Sequence, residues 1–159
     1  IVSGDLAATI YLDDPAQTAA SRHDGWLKTG DIGRIDDEGY LFLLGRCKEM
    51  IISGGYNIYP AEIERALTAH PGVREVCAFG VNDEVWGERL EVAVVADGAD
   101  EESLRAFVRE ALGPVRTPKR LHLLDALPRN PVGKLVRGDI RDLCLRREQE
   151  SRQEEEVVS

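Results

Sequence analysis

Residues Gly45–Glu64, GRCKEMIISGGYNIYPAEIE, change their period part-way along. The strand-like run Met50-Ile51-Ile52 stops at Ser53-Gly54-Gly55, where glycines can take positive φ and let a ligand approach the backbone. From Pro60 the spacing becomes helical. The proline suits a first turn, Glu62 and Glu64 sit near the positive end of the helix dipole, and Ile63, Ala66 and Leu67 share one apolar face. Pro71-Gly72 ends that helix.

Downstream, Glu75–Val81 and Leu90–Ala96 read as strands joined by a loop carrying Asn82-Asp83 and Trp86-Gly87-Glu88. Asp100 caps a helix with Leu104, Phe107, Val108, Ala111 and Leu112 at i, i+3, i+4, i+7 and i+8, and Gly113-Pro114 stops it. Arg120–Leu124 reads as a short strand, and residues 127–134 as a loop punctuated by proline and glycine. A last helix spans Asp139–Leu145 with Ile140, Leu143 and Cys144 inward, its start weakened by Gly138. Upstream, Ile1-Val2 enters a strand, Asp13–Asp24 is turn-rich and polar, and Ile32–Ile35 and Tyr40–Leu44 flank Asp36-Asp37-Glu38-Gly39 as a β-hairpin. The order predicts an α+β class: a short sheet flanked by about three helices over residues 46–145. Residues 1–45 read as strands from the end of a larger domain, and 146–159 as a charged tail, either a frayed helix or disordered.

Composition narrows the function. The 159 residues are 43% apolar, enough for a core. With 29 acidic and 20 basic residues the net charge is −9, which argues against a nucleic-acid partner held by phosphate contacts. No run approaches a membrane span, and no signal-peptide pattern is present. The cysteines Cys47, Cys77 and Cys144 and the histidines His23, His70 and His122 are too scattered for a protein-ligated metal, and read as reduced thiols and ordinary imidazoles of a cytoplasmic protein.

Single residues remain ambiguous. Lys134, after Gly133 on a proline-braced loop, suits a point charge reaching into a cleft, although a lone lysine in a polar loop reads first as solvated surface. Asp31, after Thr29-Gly30, suits a ribose diol or its own turn. Arg46 suits a phosphate or a surface ion pair.

Together with the segments around them, these residues resemble the C-terminal part of the adenylate-forming enzymes: acyl-CoA synthetases, luciferases and peptide-synthetase adenylation domains. The matching segments are Gly25–Asp31, Gly45–Glu64, His70–Val73 and Leu127–Lys134, and the Met50–Pro60 run looks most like fatty-acyl-CoA ligases. The resemblance implies an enzyme that joins a carboxylic acid to ATP, with Mg2+, as an acyl-adenylate and then passes it to coenzyme A. An adenylation domain loading a carrier protein and a stand-alone docking lid are the alternative readings.

By position, the resemblance makes Lys134 the catalytic lysine, Asp31 and Arg46 nucleotide-binding residues, and Lys48 the hinge on which the lid swings. Ser53, Gly54, Gly55 and Tyr56 would line the tunnel for the pantetheine thiol. Trp86 stands where some relatives carry an arginine that contacts coenzyme A, which weakens a phosphate clamp there. The large nucleotide- and acyl-binding domain lies outside these residues, so the chain alone is expected to form no adenylate. Its N-terminal strands are expected to expose apolar surface that favours a homodimer or domain swap.

Overall fold

The computed structural model describes residues 1–4, 7 and 10–158, with the side chains of 154–158 outside that description. The chain divides into two compact units, Ile1–Lys48 and Glu49–Ser159, each described by itself.

The first unit is built of short hairpins and one helical turn. Helix α1 (Pro15–Ala20) starts where Asp14 accepts a hydrogen bond from the Gln17 N–H at 2.8 Å and Pro15 opens the first turn. This helix replaces the turn-rich loop expected at Asp13–Asp24: Asp-Pro is an N-cap followed by a pre-set first residue. Strands β1 (Arg22–His23) and β2 (Trp26–Leu27) pair through Asp24-Gly25, both at positive φ. Val2 bridges Leu27, which leaves the expected strand at Ile1-Val2 as a single bridge. Strands β3 (Asp31–Ile35) and β4 (Leu41–Arg46) form the predicted hairpin, its turn knotted by Asp36 Oδ1 accepting from the Glu38 and Tyr40 N–H groups. No apolar side chain among the described residues of this unit is buried, and Ile35, Tyr40, Leu41 and Leu43 are all largely exposed.

The second unit has a real core. Its sheet runs β6-β5-β8-β7, with β9 parallel to β8: β5 (Ile51–Ser53), β6 (Tyr56–Ile58), β7 (Val73–Asp83), β8 (Gly87–Ala96) and β9 (Arg120–Leu123). Helices α2 (Pro60–Thr68), α3 (Glu101–Leu112) and α4 (Arg137–Val158) complete it. Alternation along β8 sorts the core into two layers. Leu90, Val92 and Val94 pack with Ile63 and Leu67 of α2 and Leu104 and Val108 of α3. Ala93 and Val95 pack with Phe79 of β7 and with Ile140 and Cys144 of α4. Burial on both faces is why β8 reads as a nearly unbroken apolar run.

The first compact unit ends at Lys48, three residues beyond residue 45. Of the two states expected for the charged tail, the helix is the one described: it continues α4 to Val158, supported by an i,i+4 pair between Glu148 and Arg152 and by a second pair from Glu148 to Arg120. Among the described residues no helix is long and apolar enough to cross a membrane.

Candidate active-site segments

Asp31 and Arg46 are direct cross-strand partners in β3 and β4. Their side chains meet, Arg46 Nε to Asp31 Oδ1 at 2.8 Å, while the Asp31 N–H donates to Thr29 Oγ1 at 3.1 Å. Arg46 is 61% exposed, so the pair contributes only about 0–1 kcal/mol to stability. Its effect is geometric: an acceptor for a diol and a planar donor for an anion lie side by side. Lys48 follows in a 3-10 turn, Cys47–Glu49, whose first N–H donates to the Gly30 carbonyl at 2.8 Å. Lys48 is exposed and is the last residue of its unit.

Ser53, Gly54, Gly55 and Tyr56 make the β5–β6 turn, with Ser53 opposite Tyr56 and Gly54 and Gly55 at φ +56° and +83°. Two positive φ values in succession are what a tight hairpin demands, which is why glycines stand there. The 83–88 segment buttresses this turn. Gly54 N–H donates to the Trp86 carbonyl at 2.9 Å, and Ile52 N–H donates to Glu88 Oε2 at 2.8 Å. A Cβ on Gly54 would lie 2.7 Å from the Trp86 ring. The Lys119 ammonium sits over that ring, 4.5 Å from its centroid. Asp83 holds the loop through the N–H groups of Trp86 and Val85, and these bonds lower its pKa below the ordinary carboxylate value.

Lys134 ends a knotted loop. Asn130 Oδ1 accepts from the Lys134 N–H at 2.8 Å and the Val132 N–H at 3.2 Å, and the Asn130 N–H donates to the Lys134 carbonyl at 2.9 Å. Arg129 donates to the Gly133 carbonyl at 2.8 Å and pairs with Glu75 at 3.0 Å. Gly133 at φ +81° makes the bend. The Lys134 side chain is exposed, and its ammonium has no ion pair or hydrogen bond among the described residues. A fixed backbone thus carries a free cation.

Sequence reasoning passed over Arg137, three residues further on. Its guanidinium donates to Glu64 Oε1 of α2 at 2.5 Å, to the Ala78 carbonyl of β7, and to Glu49 Oε2 at 3.2 Å. Glu64 Oε1 also accepts the Ala78 N–H at 2.9 Å. Burial opposes the charge on Arg137, but the hydrogen bond and charge of Glu64 outweigh it and raise the arginine pKa. The start of α4, and with it the end of the Lys134 loop, is thereby fastened to α2, β7 and the first residue of the second unit. An arginine between Val136 and Gly138 gives no sequence signal of such a clasp. No group of three or more His, Cys, Asp or Glu among the described residues is arranged to hold a metal ion.

Comparison with known families decides what these segments belong to. The family described as AMP-binding enzyme C-terminal domain matches residues 62–134, ending on the lysine. Residues 62–134 belong to the AMP-binding enzyme C-terminal domain family. It is 47% identical over 137 residues to a 2-succinylbenzoate–CoA ligase of Bacillus licheniformis, covering 86% of this chain and 29% of that protein. A long-chain-fatty-acid–CoA ligase of Mycobacterium tuberculosis is 42% identical over 144 residues, covering 89% of this chain and 29% of the relative. Among solved structures, the o-succinylbenzoate CoA synthetase of Bacillus subtilis in complex with its acyl-adenylate intermediate superposes with a TM-score of 0.76 at 40% identity, over 80% of this chain and 27% of that one. The chain therefore spans under a third of the length of these relatives. Lys134 closes the segment matched to the family, while Asp31, Arg46, Lys48 and Ser53–Tyr56 lie before that segment begins.

Proposed function

We propose that this chain supplies the mobile C-terminal part of an ATP-dependent acid–thiol ligase, with Lys134 acting in adenylate formation. The observation that carries this is the free ammonium of Lys134 on a loop tied by Asn130 and Arg129. In the first step a carboxylate oxygen bonds to the α-phosphorus of ATP and pyrophosphate leaves. Two anions approach each other, so a cation placed between their oxygens stabilises the transition state more than the ground state. Lys134 fills that role without first breaking an ion pair. Asp31 would accept hydrogen bonds from the ribose diol, and Arg46, held beside it, would turn toward the nucleotide.

In the second step a thiol sulfur attacks the acyl carbon, AMP leaves, and a thioester forms. Lys48 would be the hinge between the two poses, which the end of the first compact unit at that residue supports. The paired glycines of the Ser53–Tyr56 turn, without side chains to block the way, would let a pantetheine arm pass. ATP would bring its Mg2+ on its phosphates. Relatives of 47% and 42% identity are named for a succinylbenzoate and for long-chain fatty acids, so the fatty-acid preference expected from Met50–Pro60 rests on that run alone. Free coenzyme A is the acceptor both names carry. A cytoplasmic setting is supported by Cys47, Cys77 and Cys144 all standing as free thiols.

The test is a chimera in which this chain replaces the homologous C-terminal part of the Mycobacterium tuberculosis ligase. ATP–pyrophosphate exchange and acyl-CoA formation with a long-chain acid are the expected results. An intact, folded chimera with neither activity contradicts the proposal, and transfer to a carrier protein but not to coenzyme A would move the acceptor.

A further inference from the structure

A second basic site lies on the α4 face of the sheet, apart from the lysine loop and the glycine turn. Arg120 and His122 of β9 and Arg147, Glu148, Ser151 and Arg152 of α4 line a cavity of about 410 Å³, with Leu123 and Leu124 as its apolar wall. That volume lies in the range of small-ligand sites. Glu148 is only 10% exposed and receives both Arg120 and Arg152, each at 2.5 Å. It therefore organises two guanidiniums while cancelling one charge. Arg147 makes no ion pair or side-chain hydrogen bond among the described residues. His122 turns its Nε2 away to the fully buried Glu91, 2.8 Å from Oε2, and Glu91 Oε1 takes Arg89 at 2.6 Å. The inner carboxylate is thus already matched by two partners of its own and does not draw on the cavity arginines.

Among the described residues, three guanidiniums against one carboxylate leave two positive charges in one concavity of a chain whose net charge is −9. Such a local inversion is costly to hold together by self-repulsion and focuses the field on anions. Planar guanidiniums favour phosphate oxygens, which they bind two at a time. We propose that this cavity is a binding site for a small phosphate-bearing ligand with at least two negative charges, held by Arg147 and Arg152 with Arg120 at the rear. The inference does not rest on the proposed ligase activity.

The test is a titration of the full chain, carrying Lys134→Ala and Arg46→Gln so that neither the lysine loop nor the Asp31–Arg46 hairpin can answer for it, followed by backbone amide shifts at low ionic strength. Inorganic pyrophosphate and AMP are the two probes. A saturable response confined to residues 120–124 and 147–152 is expected with at least one probe. Tighter pyrophosphate assigns the site to free polyphosphates, and tighter AMP to phosphate esters. Arg147→Gln with Arg152→Gln should weaken that binding at least tenfold, and the paired Arg→Lys changes should recover part of it. Both arginines are exposed, and circular dichroism of each variant checks that α4 persists. Shifts scattered over the whole surface, equal binding of sulfate, or Gln variants that bind as the parent does would each overturn the proposal.

Discussion

Replacing Arg137 by methionine removes the clasp while keeping much of the side chain's apolar stem. The Arg137 side chain is 27% exposed and that of Glu64 24%, so the pair is mostly but not wholly desolvated. Removing one partner of a buried ion pair costs about 3–5 kcal/mol, chiefly because the other charge is left unmatched. Here Glu64 keeps the Ala78 N–H, and solvent reaches part of both groups. The expected loss is therefore about 2–3 kcal/mol. The two tryptophans make the assay specific: Trp26 lies in the first unit and Trp86 in the second. In a Trp26→Phe background, Trp86 emission during urea unfolding reports the second unit alone. With a slope of about 2 kcal/mol per molar, the midpoint should fall by roughly 1–1.5 M. Glu49→Gln, at the more exposed end of the clasp, should lower it by no more than about 0.5 M. An Arg137→Met midpoint within about 0.2 M of the parent would refute the reasoning.

Other perturbations follow from the same contacts. Burial works against the Glu91 carboxylate, but hydrogen bonds from His122 and Arg89 outweigh it and hold its pKa below the ordinary glutamate value. Its stabilisation is therefore complete above the unfolded-state value and is lost as pH falls through the folded one. Urea midpoints should drop more steeply below about pH 4.5 in the parent than in Glu91→Gln, and parallel curves would contradict this. Gly54→Ala puts a Cβ 2.7 Å from the Trp86 ring at φ +56°, so it should destabilise by about 1–3 kcal/mol and shift Trp86 emission. Burial pushes the thiols of Cys77 and Cys144 up to about 11, while Cys47 is exposed. Native labelling at pH 8 with iodoacetamide should modify Cys47 alone, the other two reacting only after unfolding.

The sequence made the second unit legible because its signals are local and agree with one another. The Asp100 cap, the apolar stripe of α3 and the stop at Gly113 each mark the same helix, and the structure places that helix at Glu101–Leu112. The long apolar run of β8 marked a strand but hid that its alternate residues serve two layers. Helix α1 was legible in Asp14-Pro15 and passed over because six residues give no periodicity to read. The β6 strand was hidden by its brevity, its register fixed only by pairing with β5. At the site, Asp31 and Arg46 were separately readable, but their adjacency follows from hairpin register and not from spacing. The Arg137 clasp and the arginines around Glu148 join residues far apart in the chain, so neither leaves a local trace.

The central claim is that Lys134 stabilises the union of carboxylate and phosphate. The most direct measurement takes the active chimera with and without Lys134→Ala and follows the two half-reactions separately. ATP–pyrophosphate exchange should fall at least about 100-fold, the scale of losing one charge-stabilising donor. Thioester formation from a supplied acyl-adenylate should stay within a few-fold. Exchange that survives the substitution, or equal loss of both half-reactions in a folded protein, would contradict the account.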